Sequence, residues 1–597
     1  MYISRFLSYL LQLKMNSIYK VILVLFLCQI NPAWAEADQG RIPQEWIKLL
    51  HYEKQQNGSF ESLIKDPDFF VYNHGSVDPD QELKSNLNLF NVDPGYNCKF
   101  PARAKFIAIH FSLTYSICAK VETWKNLISA ESISYVSVGQ YASTPASAFG
   151  HSFIIFKNSK KPMNLNLSLN YAAEMPPVVS AYDYLTKGIM GGFYGIFDIE
   201  PLYIKLQEYS AIENREMWAY DLDFNSYELD QFLNHIWELT NQIKESYYFL
   251  NGNCAVSLYN SLAAIHPDLE FIGSHRLYVL PVETIKRLEP ISNQKTFIPS
   301  LREKIRQRYD FLNSDEKQSF VQFLKDGDLV SNSESIKATE LELQYFEFLK
   351  TKREGQLTEK EENSYENALV KRSKLGPLKE EAIFTQPFPP HLSIPTWRIG
   401  LGLSQNSENI FSSLIFSPAS HRLLQSESGY LPFSEITLFE TKIGSQKTNT
   451  YFLEELTLFS LRNYAPRMNF DPNYSWTVKA QISREYICSE CFYLNAELNV
   501  GSSLGFGDQL GYALVGFSDY KYRVFQPQII IGTILKYASI RNNLQVRHIE
   551  PIHQIFEKID LISFSTLIEV YRNFDLELNS ELENRNLRGS IILNHYF

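Results

Sequence analysis

Residues 247–258 read YYFLNGNCAVSL, an aromatic, strand-like run that meets a turn and continues as an apolar, periodic segment. Asn251 and Gly252 favour a tight turn, and Asn253 is a good N-cap residue. Cys254 is therefore expected in the first turn of a helix. Unsatisfied backbone N–H groups and the helix dipole favour a thiolate over a thiol at such a position. We predict that Cys254 is a nucleophile with a lowered pKa.

His151 is the best candidate for the base that activates this thiol. It opens a β-type run, Phe153 to Phe156, and it follows Gly150, which leaves room for another group to approach the backbone. A Cys at a helix start and a His at a strand start are the two parts of a papain-like site. Here His precedes Cys, an order that resembles the permuted papain-like enzymes, the group that includes lecithin:retinol acyltransferase. The alternative is an inert buried thiol and a structural, hydrogen-bonded histidine.

A papain-like site also needs a polar group that orients the imidazole. In the permuted order this group is expected on the strand after that of the histidine, where Asn166 and Asn170 lie. We favour Asn170, which directly precedes Tyr171-Ala172-Ala173. A cross-strand surface asparagine is the alternative interpretation.

The segment 187–195, KGIMGGFYG, is rich in glycine and aromatic residues. It lacks the G-K-[ST] ending of a phosphate-binding loop. We expect a hinged flap or a lipid-facing strap, in which Phe193 and Tyr194 contact the substrate together with Gly150 and Asn253. A bulged pair of strands is the alternative.

The N-terminus has the pattern of a secretory signal peptide. Residues 1–20 carry basic residues and no acidic one, residues 21–30 form an apolar core, and an A-x-A cleavage site ends at Ala35. Leu27, just before Cys28, is too large for a lipoprotein signal, so we predict no N-terminal lipidation. The mature protein is expected to begin at Glu36, outside the cytoplasm.

The cysteine pattern fits an oxidising compartment. Five cysteines follow the signal peptide, and Cys98 with Cys118 and Cys488 with Cys491 would make two local disulfides. Cys254 is the odd one left over, where a free reactive thiol is expected. Cys488 and Cys491 could instead be half of a zinc site, but no second pair of Cys or His residues lies nearby in the sequence. No metal or other cofactor is predicted, and the net charge of −11 argues against nucleic-acid binding.

Two charged features receive structural interpretations. Arg103 is expected to form a structural salt bridge rather than to bind an anion. Residues 300–385 are charged and helical, with runs such as Glu359 to Glu362, and we expect a solvated connector rather than a binding patch. The proline-rich segment 387–390 marks its end.

From Trp397 onward the chain changes to short β-runs with strict alternation. In two of these runs the apolar residues Leu494, Ala496, Leu498, Val500, Phe574, Leu576 and Leu578 alternate with Tyr493, Asn495, Glu497, Asn499, Asp575, Glu577 and Asn579. Roughly ten to twelve runs, many aromatic residues and a terminal Phe597 resemble an outer-membrane β-barrel. A soluble β-sandwich or periplasmic barrel is the alternative.

Several motifs resemble those of the Lnb-type periplasmic domain, domain-of-unknown-function family 4105. They are residues 145–151 (PASAFGH), 170–173 (NYAA), 187–195, 213–220 (ENREMWAY) and 248–254 (YFLNGNC). Residues 97–103 are similar to the helical module that precedes this domain in many members, and residues 387–597 to its usual C-terminal companion. The resemblance implies a papain-like thiol enzyme. In the lipoprotein acyltransferase members it implies transfer of an acyl chain onto a lipoprotein N-terminus.

The sequence therefore predicts an α+β protein with a permuted papain-like domain, a preceding helical module and a following antiparallel outer-membrane β-barrel. The expected boundaries are a signal peptide over 1–35, the helical module over 36–125, the catalytic domain over 126–299, the connector over 300–390 and the barrel over 391–597.

The predicted activity is that of a periplasmic cysteine acyltransferase with a phospholipid or lipoprotein substrate. Cys254 would form an acyl thioester, His151 would move the proton, and Asn170 would orient the imidazole. The backbone N–H of Cys254 is the expected oxyanion donor. A cell-wall peptidase or amidase that uses the same residues, and a non-catalytic lipid-binding scaffold, are the alternatives.

Overall fold

The computed structural model describes residues 42–597 apart from short gaps. The gaps are residues 141–149, 177, 274–275, 277, 327–334, 378–384, 406–409, 446–450, 469, 472, 485–491, 520–523, 553–557 and 585. The predicted signal peptide, Cys488 and Cys491, and residues 145–149 of the histidine motif lie outside the described residues. No helix within the described ranges is long and apolar enough to span a membrane.

Helices and strands are numbered in chain order. The helices are α1 (Gln44–Leu49), α2 (Pro79–Val92), α3 (Tyr96–Lys99), α4 (Pro101–His110), α5 (Ala119–Ile128), α6 (Ala181–Met190), α7 (Leu202–Lys205), α8 (Ser226–Gln242), α9 (Cys254–Ala263), α10 (Pro281–Leu288), α11 (Leu301–Asp310), α12 (Ser314–Asp326), α13 (Ile336–Lys352) and α14 (Glu359–Lys374). The strands before the barrel are β1 (Tyr52–Lys54), β2 (Phe60–Ser62), β3 (Ser132–Val138), β4 (His151–Lys157), β5 (Leu167–Glu174), β6 (Phe193–Pro201), β7 (Met217–Leu222), β8 (Glu245–Tyr247) and β9 (Ser292–Ile298). The later strands are β10 (Arg398–Gln405), β11 (Ile410–Ser417), β12 (Ala419–His421), β13 (Ser434–Ser445), β14 (Tyr451–Asn463), β15 (Ser475–Arg484), β16 (Phe492–Phe506), β17 (Gln509–Ser518), β18 (Gln526–Tyr537), β19 (Ile540–Ile549), β20 (Ile559–Tyr571), β21 (Phe574–Glu583) and β22 (Asn586–Tyr596).

The N-terminal module is helical but also contains a hairpin. Helix α1 is short, and β1 then pairs with β2 across a turn in which Gly58 has a φ of +85°. Glycine is the residue that adopts this conformation without strain. Cys98 and Cys118, one of the two pairs predicted from the sequence, form a disulfide between α3 and the start of α5.

Arg103 ties this module to α8. Its side chain is fully buried, and its Nε donates to Glu238 Oε2 at 3.0 Å, while Glu82 Oε1 lies 3.7 Å from its Nη1. The guanidinium carbon lies 4.1 Å from the ring centroid of Phe69 and 4.3 Å from that of Phe100. Arg103 therefore makes the structural salt bridge that the sequence predicts.

A seven-stranded antiparallel sheet, in the order β8-β6-β5-β4-β3-β7-β9, forms the centre of the next domain. Helices α8 and α9 cover one face, where Phe156 of β4 contacts Phe232 of α8. The other face of β4 packs against a π-helical turn, Leu206–Ile212, whose Tyr209 stacks on Phe153. Side chains alternate between the two faces, so neighbouring residues of β4 meet different elements.

Helices α11 to α14 build a hydrophobic core of their own. Ile305, Phe320 and Phe346 are among its buried side chains, and Phe470, from the connection before β15, packs against it. Asp471 forms ion pairs with Arg302 and Lys352. The expectation of a merely solvated connector is therefore wrong, because the apolar faces of these helices pack together and against the barrel.

Twelve strands, β10, β11 and β13 to β22, close into an antiparallel barrel. The ring closes where β11 pairs with β13 and β10 pairs with β22. Leu498 is 58% exposed on the outside, whereas Glu497 and Asn499 are buried inside. A soluble barrel would bury its apolar side chains, so this reversed pattern is that of a barrel in lipid.

The two ends of the barrel differ. At the end next to the helical and sheet domains, two-residue turns join β16 to β17, β18 to β19 and β20 to β21. One exception at this end is the connection over residues 464–474. At the opposite end the strands from β10 to β20 are separated by four to nine residues, and only β21 and β22 by two. Outer-membrane barrels have short periplasmic turns and longer extracellular loops. The sheet domain therefore lies at the periplasmic end.

Residues 419–433 enter the barrel lumen at this periplasmic end and are called here the lumen segment. Arg422 forms an ion pair with Glu577 of β21, and Glu427 forms one with Lys536 of β18. Apolar side chains of the segment, including Leu424, pack against inward-facing residues of β17, β18 and β20. The segment therefore contacts inward-facing side chains on several sides of the lumen.

Candidate functional site

Cys254 is the first residue of α9 and is 3% exposed. Asn253 caps the helix, because its Oδ1 accepts from the N–H groups of Ala255 and Val256 at 3.1 and 3.3 Å. Its Nδ2 donates to the carbonyl of Val279 at 2.9 Å. Both ends of the Asn253 side-chain amide thus bond to backbone groups. In this geometry Asn253 holds Cys254 in place at the helix start. Cys254 is a free cysteine, as the sequence predicts.

His151 is the first residue of β4 and pairs with Val138 of β3. The preceding Gly150 has a φ of +99°, and a Cβ there would lie 3.0 Å from the carbonyl oxygen of Val138. The imidazole of His151 packs against Tyr209, with ring centroids 5.4 Å apart. It therefore lies on the face of β4 opposite to α9.

The thiol of Cys254 contacts β4 at the backbone N–H of Ser152, one residue after His151. This hydrogen bond favours the thiolate form of Cys254. The predicted pair is thus brought to neighbouring positions of one strand. No hydrogen bond joins Cys254 to His151 in the described part of the chain. Catalytic hydrogen bonds are often long without substrate and shorten only in the complex.

The electrostatics of the site differ from the sequence expectation. Burial raises the pKa of the Cys254 thiol, although the Ser152 N–H and the Tyr247 hydroxyl act in the opposite direction. The predicted lowering is therefore wrong for this conformation, because desolvation outweighs the helix start. Burial and the positive charges of Arg215 and Lys205 lower the pKa of His151 to about 3. Thiol and imidazole are both neutral at neutral pH.

The two candidate orienting asparagines are equally buried but differently bonded. Asn166 uses both ends of its amide, accepting from the N–H of Asn158 and donating to the carbonyl of Met163. Asn170 donates weakly to Ser168 Oγ at 3.4 Å, and its Oδ1 has no partner among the described residues. The pairing of β4 with β5 places Asn170 on the same face as His151. This geometry favours Asn170 over Asn166.

Tyr247 is a site residue that the sequence does not single out. Its hydroxyl accepts from the backbone N–H of Cys254 at 3.3 Å and also favours the thiolate. The N–H expected to stabilise an oxyanion is therefore already bonded. Tyr247 lies within the quoted stretch 247–258, but its hydroxyl returns to the helix start only because β8 pairs with β6.

Arg215 is a second such residue. It is 2% exposed, and it donates to the Gly139 carbonyl and to Glu213, while its Nη2 has no partner among the described residues. Its guanidinium lies 5.2 Å from the ring centroid of Tyr209, which the imidazole of His151 also contacts. Within the described ranges, no group of three or more His, Cys, Asp and Glu side chains is placed to hold a metal ion.

Residues 187–195 do not form a flap. They are the end of α6, a turn at Gly191 with a φ of +77°, and the start of β6. Gly188 and Gly191 abut the rings of Phe249 and Tyr248, and the Phe249 N–H donates to the Gly188 carbonyl at 2.8 Å. The bulged strand pair is therefore wrong, and in this packed arrangement the glycines do not serve as a hinge, whereas the lipid-facing strap stays a prediction.

The two substrate-contacting residues predicted in this segment have different environments. Phe193 is buried and stacks on Phe249, with ring centroids 6.4 Å apart. Tyr194 is 56% exposed and points away from the domain. Phe193 supports the segment that leads to Cys254, whereas the ring of Tyr194 is available to a partner.

Comparison with known protein families gives three matches. The model of the Lnb N-terminal periplasmic domain matches residues 120–290. Two families described only as domains of unknown function, DUF7843 and DUF7840, match residues 42–110 and 387–522. A comparison with curated proteins found no match.

Solved structures similar to the chain include porins and another outer-membrane protein. The KdgM porin in complex with disordered oligogalacturonate is 8% identical, with 34% of this chain and 99% of that chain covered and a TM-score of 0.22. The OmpT outer-membrane protein of Vibrio cholerae is 8% identical, with 34% and 98% covered and a TM-score of 0.19.

The membrane location follows from the barrel's own geometry and from the periplasmic family. The outward apolar band places the barrel in the outer membrane, and the short turns place the sheet domain on its periplasmic side. Residues 120–290 therefore match the family model of the Lnb N-terminal periplasmic domain, and a 12-stranded outer-membrane β-barrel follows them.

Proposed function

We propose that the protein is a cysteine acyltransferase that works at the periplasmic face of the outer membrane, with Cys254 as nucleophile. The observation that carries this proposal is the placement of one buried free thiol. It lies at the start of α9, against the N–H of Ser152 and the hydroxyl of Tyr247, one residue along β4 from His151. Donors around a thiol stabilise the charge that develops in acyl transfer.

In the first half-reaction, Sγ of Cys254 attacks the ester carbonyl carbon of a phospholipid or lipoprotein, and His151 takes the thiol proton. A carbon–sulfur bond forms and the carbonyl becomes an oxyanion near Tyr247. The carbon–oxygen bond then breaks, and His151 returns its proton to the leaving alcohol. An acyl thioester remains on Cys254. In the second half-reaction an acceptor amine or hydroxyl attacks the thioester carbonyl carbon, and His151 takes its proton. The carbon–sulfur bond then breaks, and His151 passes the proton to the sulfur of Cys254.

This chemistry requires a change in the resting site. His151 has a pKa of about 3 and packs on Tyr209, so it does not draw the proton from Cys254 in the substrate-free protein. We infer that the substrate brings the imidazole to the thiol, with the free Oδ1 of Asn170 as its orienting partner. A nucleophile that becomes reactive only with substrate bound is protected from water.

The second candidate is a hydrolase that uses the same residues with water as acceptor. It needs no second substrate, and the intermediate exposure of His151 is compatible with water as the acceptor. A non-catalytic lipid-binding scaffold is the third. For all three we propose the division into helical module, catalytic domain, connector and barrel with the boundaries predicted from the sequence.

The test uses full-length protein in vesicles that contain a phospholipid with a labelled acyl chain, plus a lipopeptide acceptor. We expect labelled acyl-enzyme and labelled acceptor from the wild type, and neither from Cys254→Ser or His151→Ala. The matched control is His74→Ala, which removes an exposed histidine and should keep full activity.

The alternatives give different products in the same assay. Free labelled fatty acid without acylated acceptor, or Cys254-dependent cleavage of cell-wall peptides, would establish a hydrolase. If Cys254→Ser changes no product, the thiol is not the nucleophile and the scaffold remains.

A further inference from the structure

The excursion from the end of β5 through α6 to β6 carries an unusual amount of exposed apolar side chain. Six residues of the described part of this excursion are large, apolar and 39% to 89% exposed. They are Met175, Val178, Ile189, Met190, Tyr194 and Ile196. This set is called here the apolar surface. Clustered exposed apolar side chains on a folded domain mark a site of protein or membrane contact.

The apolar surface is held outward by the fold. The Phe249 N–H bonds to the Gly188 carbonyl, and Gly191 packs against the ring of Tyr248, so the end of α6 is fixed. Strand β6 is paired on both sides, with β5 and β8. Tyr194 and Ile196 therefore cannot turn inward without breaking the sheet. Their exposure is a permanent feature of this domain.

The same contacts connect the apolar surface to the barrel rim. Leu250, the next residue after Phe249, packs in a cluster with Tyr278 and with Trp397, which directly precedes the barrel strand β10. Trp397 in turn contacts the terminal Phe597, with ring centroids 6.1 Å apart. Residues 248–250 thus connect the packing around the end of α6 with the cluster at the start of β10.

We propose that the apolar surface inserts into the periplasmic leaflet of the membrane that the barrel spans, where phospholipid enters the site of Cys254. The occupant is lipid because Tyr194 and Ile196 lie at the end of the sheet that meets the barrel. The antiparallel pairing of β3 through β6 places them at the same sheet end as Val138. Two residues beyond Val138, Gln140 accepts from the Leu431 N–H and the Ser434 hydroxyl at the periplasmic end of the barrel. Tyr194 and the exposed Lys187 suit the headgroup level, where tyrosine and lysine place an apolar body in lipid and a polar end in water. The delivery of phospholipid rests on the proposed acyltransferase function, whereas the insertion does not.

The insertion is tested in full-length Cys254→Ser protein that carries Met190→Cys labelled with an environment-sensitive fluorophore. The matched control is Leu127→Cys, because Leu127 is 70% exposed on α5, away from the apolar surface. In vesicles of phosphatidylethanolamine and phosphatidylglycerol with brominated acyl chains, we expect blue-shifted, quenched emission at position 190 and neither change at position 127. Equal emission at the two positions would overturn the proposal. So would shielding at position 190 by the lipopeptide alone, which would make the occupant a protein.

The delivery is tested with the double variant Ile189→Gln and Met190→Gln. Acyl-enzyme formation from vesicle phospholipid should fall by about tenfold, because polar side chains oppose insertion. With a water-soluble short-chain ester the rate should change by less than about twofold, since no extraction from a bilayer is needed. Equal slowing with both esters would overturn the delivery role. Quenching at position 190 without acylation by any ester would reject the acyltransferase and leave the insertion standing.

Discussion

Arg103 and Cys254 lie at two buried polar centres of the periplasmic part, and the two centres are built differently. At Arg103 a buried cation faces the carboxylates of Glu82 and Glu238 and lies against the rings of Phe69 and Phe100. Its Nη1 and Nη2 make no hydrogen bond among the described residues, so the compensation there is one of charge. At Cys254 the thiol is neutral, and nearby polar atoms, Asn170 Oδ1 and Arg215 Nη2, have no partner among the described residues. The first centre compensates its charge within the fold.

The difference separates a stabilising centre from a functional one. A buried charge destabilises the fold unless a partner compensates it, so the groups around Arg103 depend on each other for stability. Buried polar atoms left without a partner near a nucleophile are available to a substrate, and such groups cluster at functional sites. Changes at Arg103 should therefore alter stability, and changes around Cys254 should alter reactivity.

The largest expected effect is that of Arg103→Met. The change leaves Glu82 and Glu238 buried without a compensating charge, which should lower the free energy of unfolding by about 3–5 kcal/mol. Urea unfolding of the full-length protein, followed by tryptophan fluorescence, measures it. Lys105→Met is the control, because Lys105 forms a partly exposed ion pair with Asp230 and should cost under about 1 kcal/mol. Equal losses in the two variants would remove the distinction.

Intermediate effects, on the rate of acylation and on stability, are expected when Asn170 and Asn166 are each replaced by alanine. Asn170→Ala should lower the rate of acyl-enzyme formation by about 10- to 100-fold with little loss of stability, because it removes the orienting group. Asn166→Ala should lower stability by about 1–3 kcal/mol, because the Asn158 N–H loses its acceptor and the Met163 carbonyl loses one of its two donors. Single-turnover labelling and urea unfolding of both variants give the answer. If Asn166→Ala slowed acyl-enzyme formation and Asn170→Ala only lowered stability, Asn166 would be the orienting residue.

The smallest effect is expected for Tyr247→Phe, which removes one hydroxyl beside the thiol. The wild-type thiol has a raised pKa, so its alkylation should accelerate only as the pH rises above the ordinary thiol range. The Tyr247 hydroxyl favours the thiolate, so its loss should raise that pKa further and slow alkylation at pH 8 by about threefold to tenfold.

The measurement for Tyr247 is the rate of iodoacetamide labelling of Cys254 against pH. Tyr171→Phe is the control, because Tyr171 stacks on Tyr247 but its hydroxyl bonds to Ser257. A profile that moves to lower pH in Tyr247→Phe, or an equal shift in both variants, would contradict the assigned role.

Local patterns predicted the parts of this fold that local physics determines. The Asn253 cap fixes the start of α9 at Cys254, and the strand signal after Gly150 fixes the start of β4 at His151. The alternation of Leu498 with Glu497 and Asn499 predicted the barrel and its polarity. Each of these features depends on neighbours within a few residues.

The rest depends on which elements meet. The sequence pattern of β4 does not predict that Tyr209, in a π-helical turn, packs against His151 on the face of β4 opposite to α9. The helix start alone favours a thiolate, and only the packing shows that burial outweighs it. Segment 187–195 has the composition of a flap, yet Tyr248 and Phe249 clamp it. Residues far apart in sequence decide each of these points.

The lumen segment bears on what can pass through the outer membrane. It contributes Arg422, Leu424 and Glu427 to contacts with strands β17 to β21, so the protein's own chain occupies part of the barrel interior at that end. Chain inside the lumen takes up space that solutes would use, so we expect this barrel to conduct small solutes less well than an empty barrel of twelve strands. The barrel would then serve mainly to anchor the periplasmic domain to the membrane.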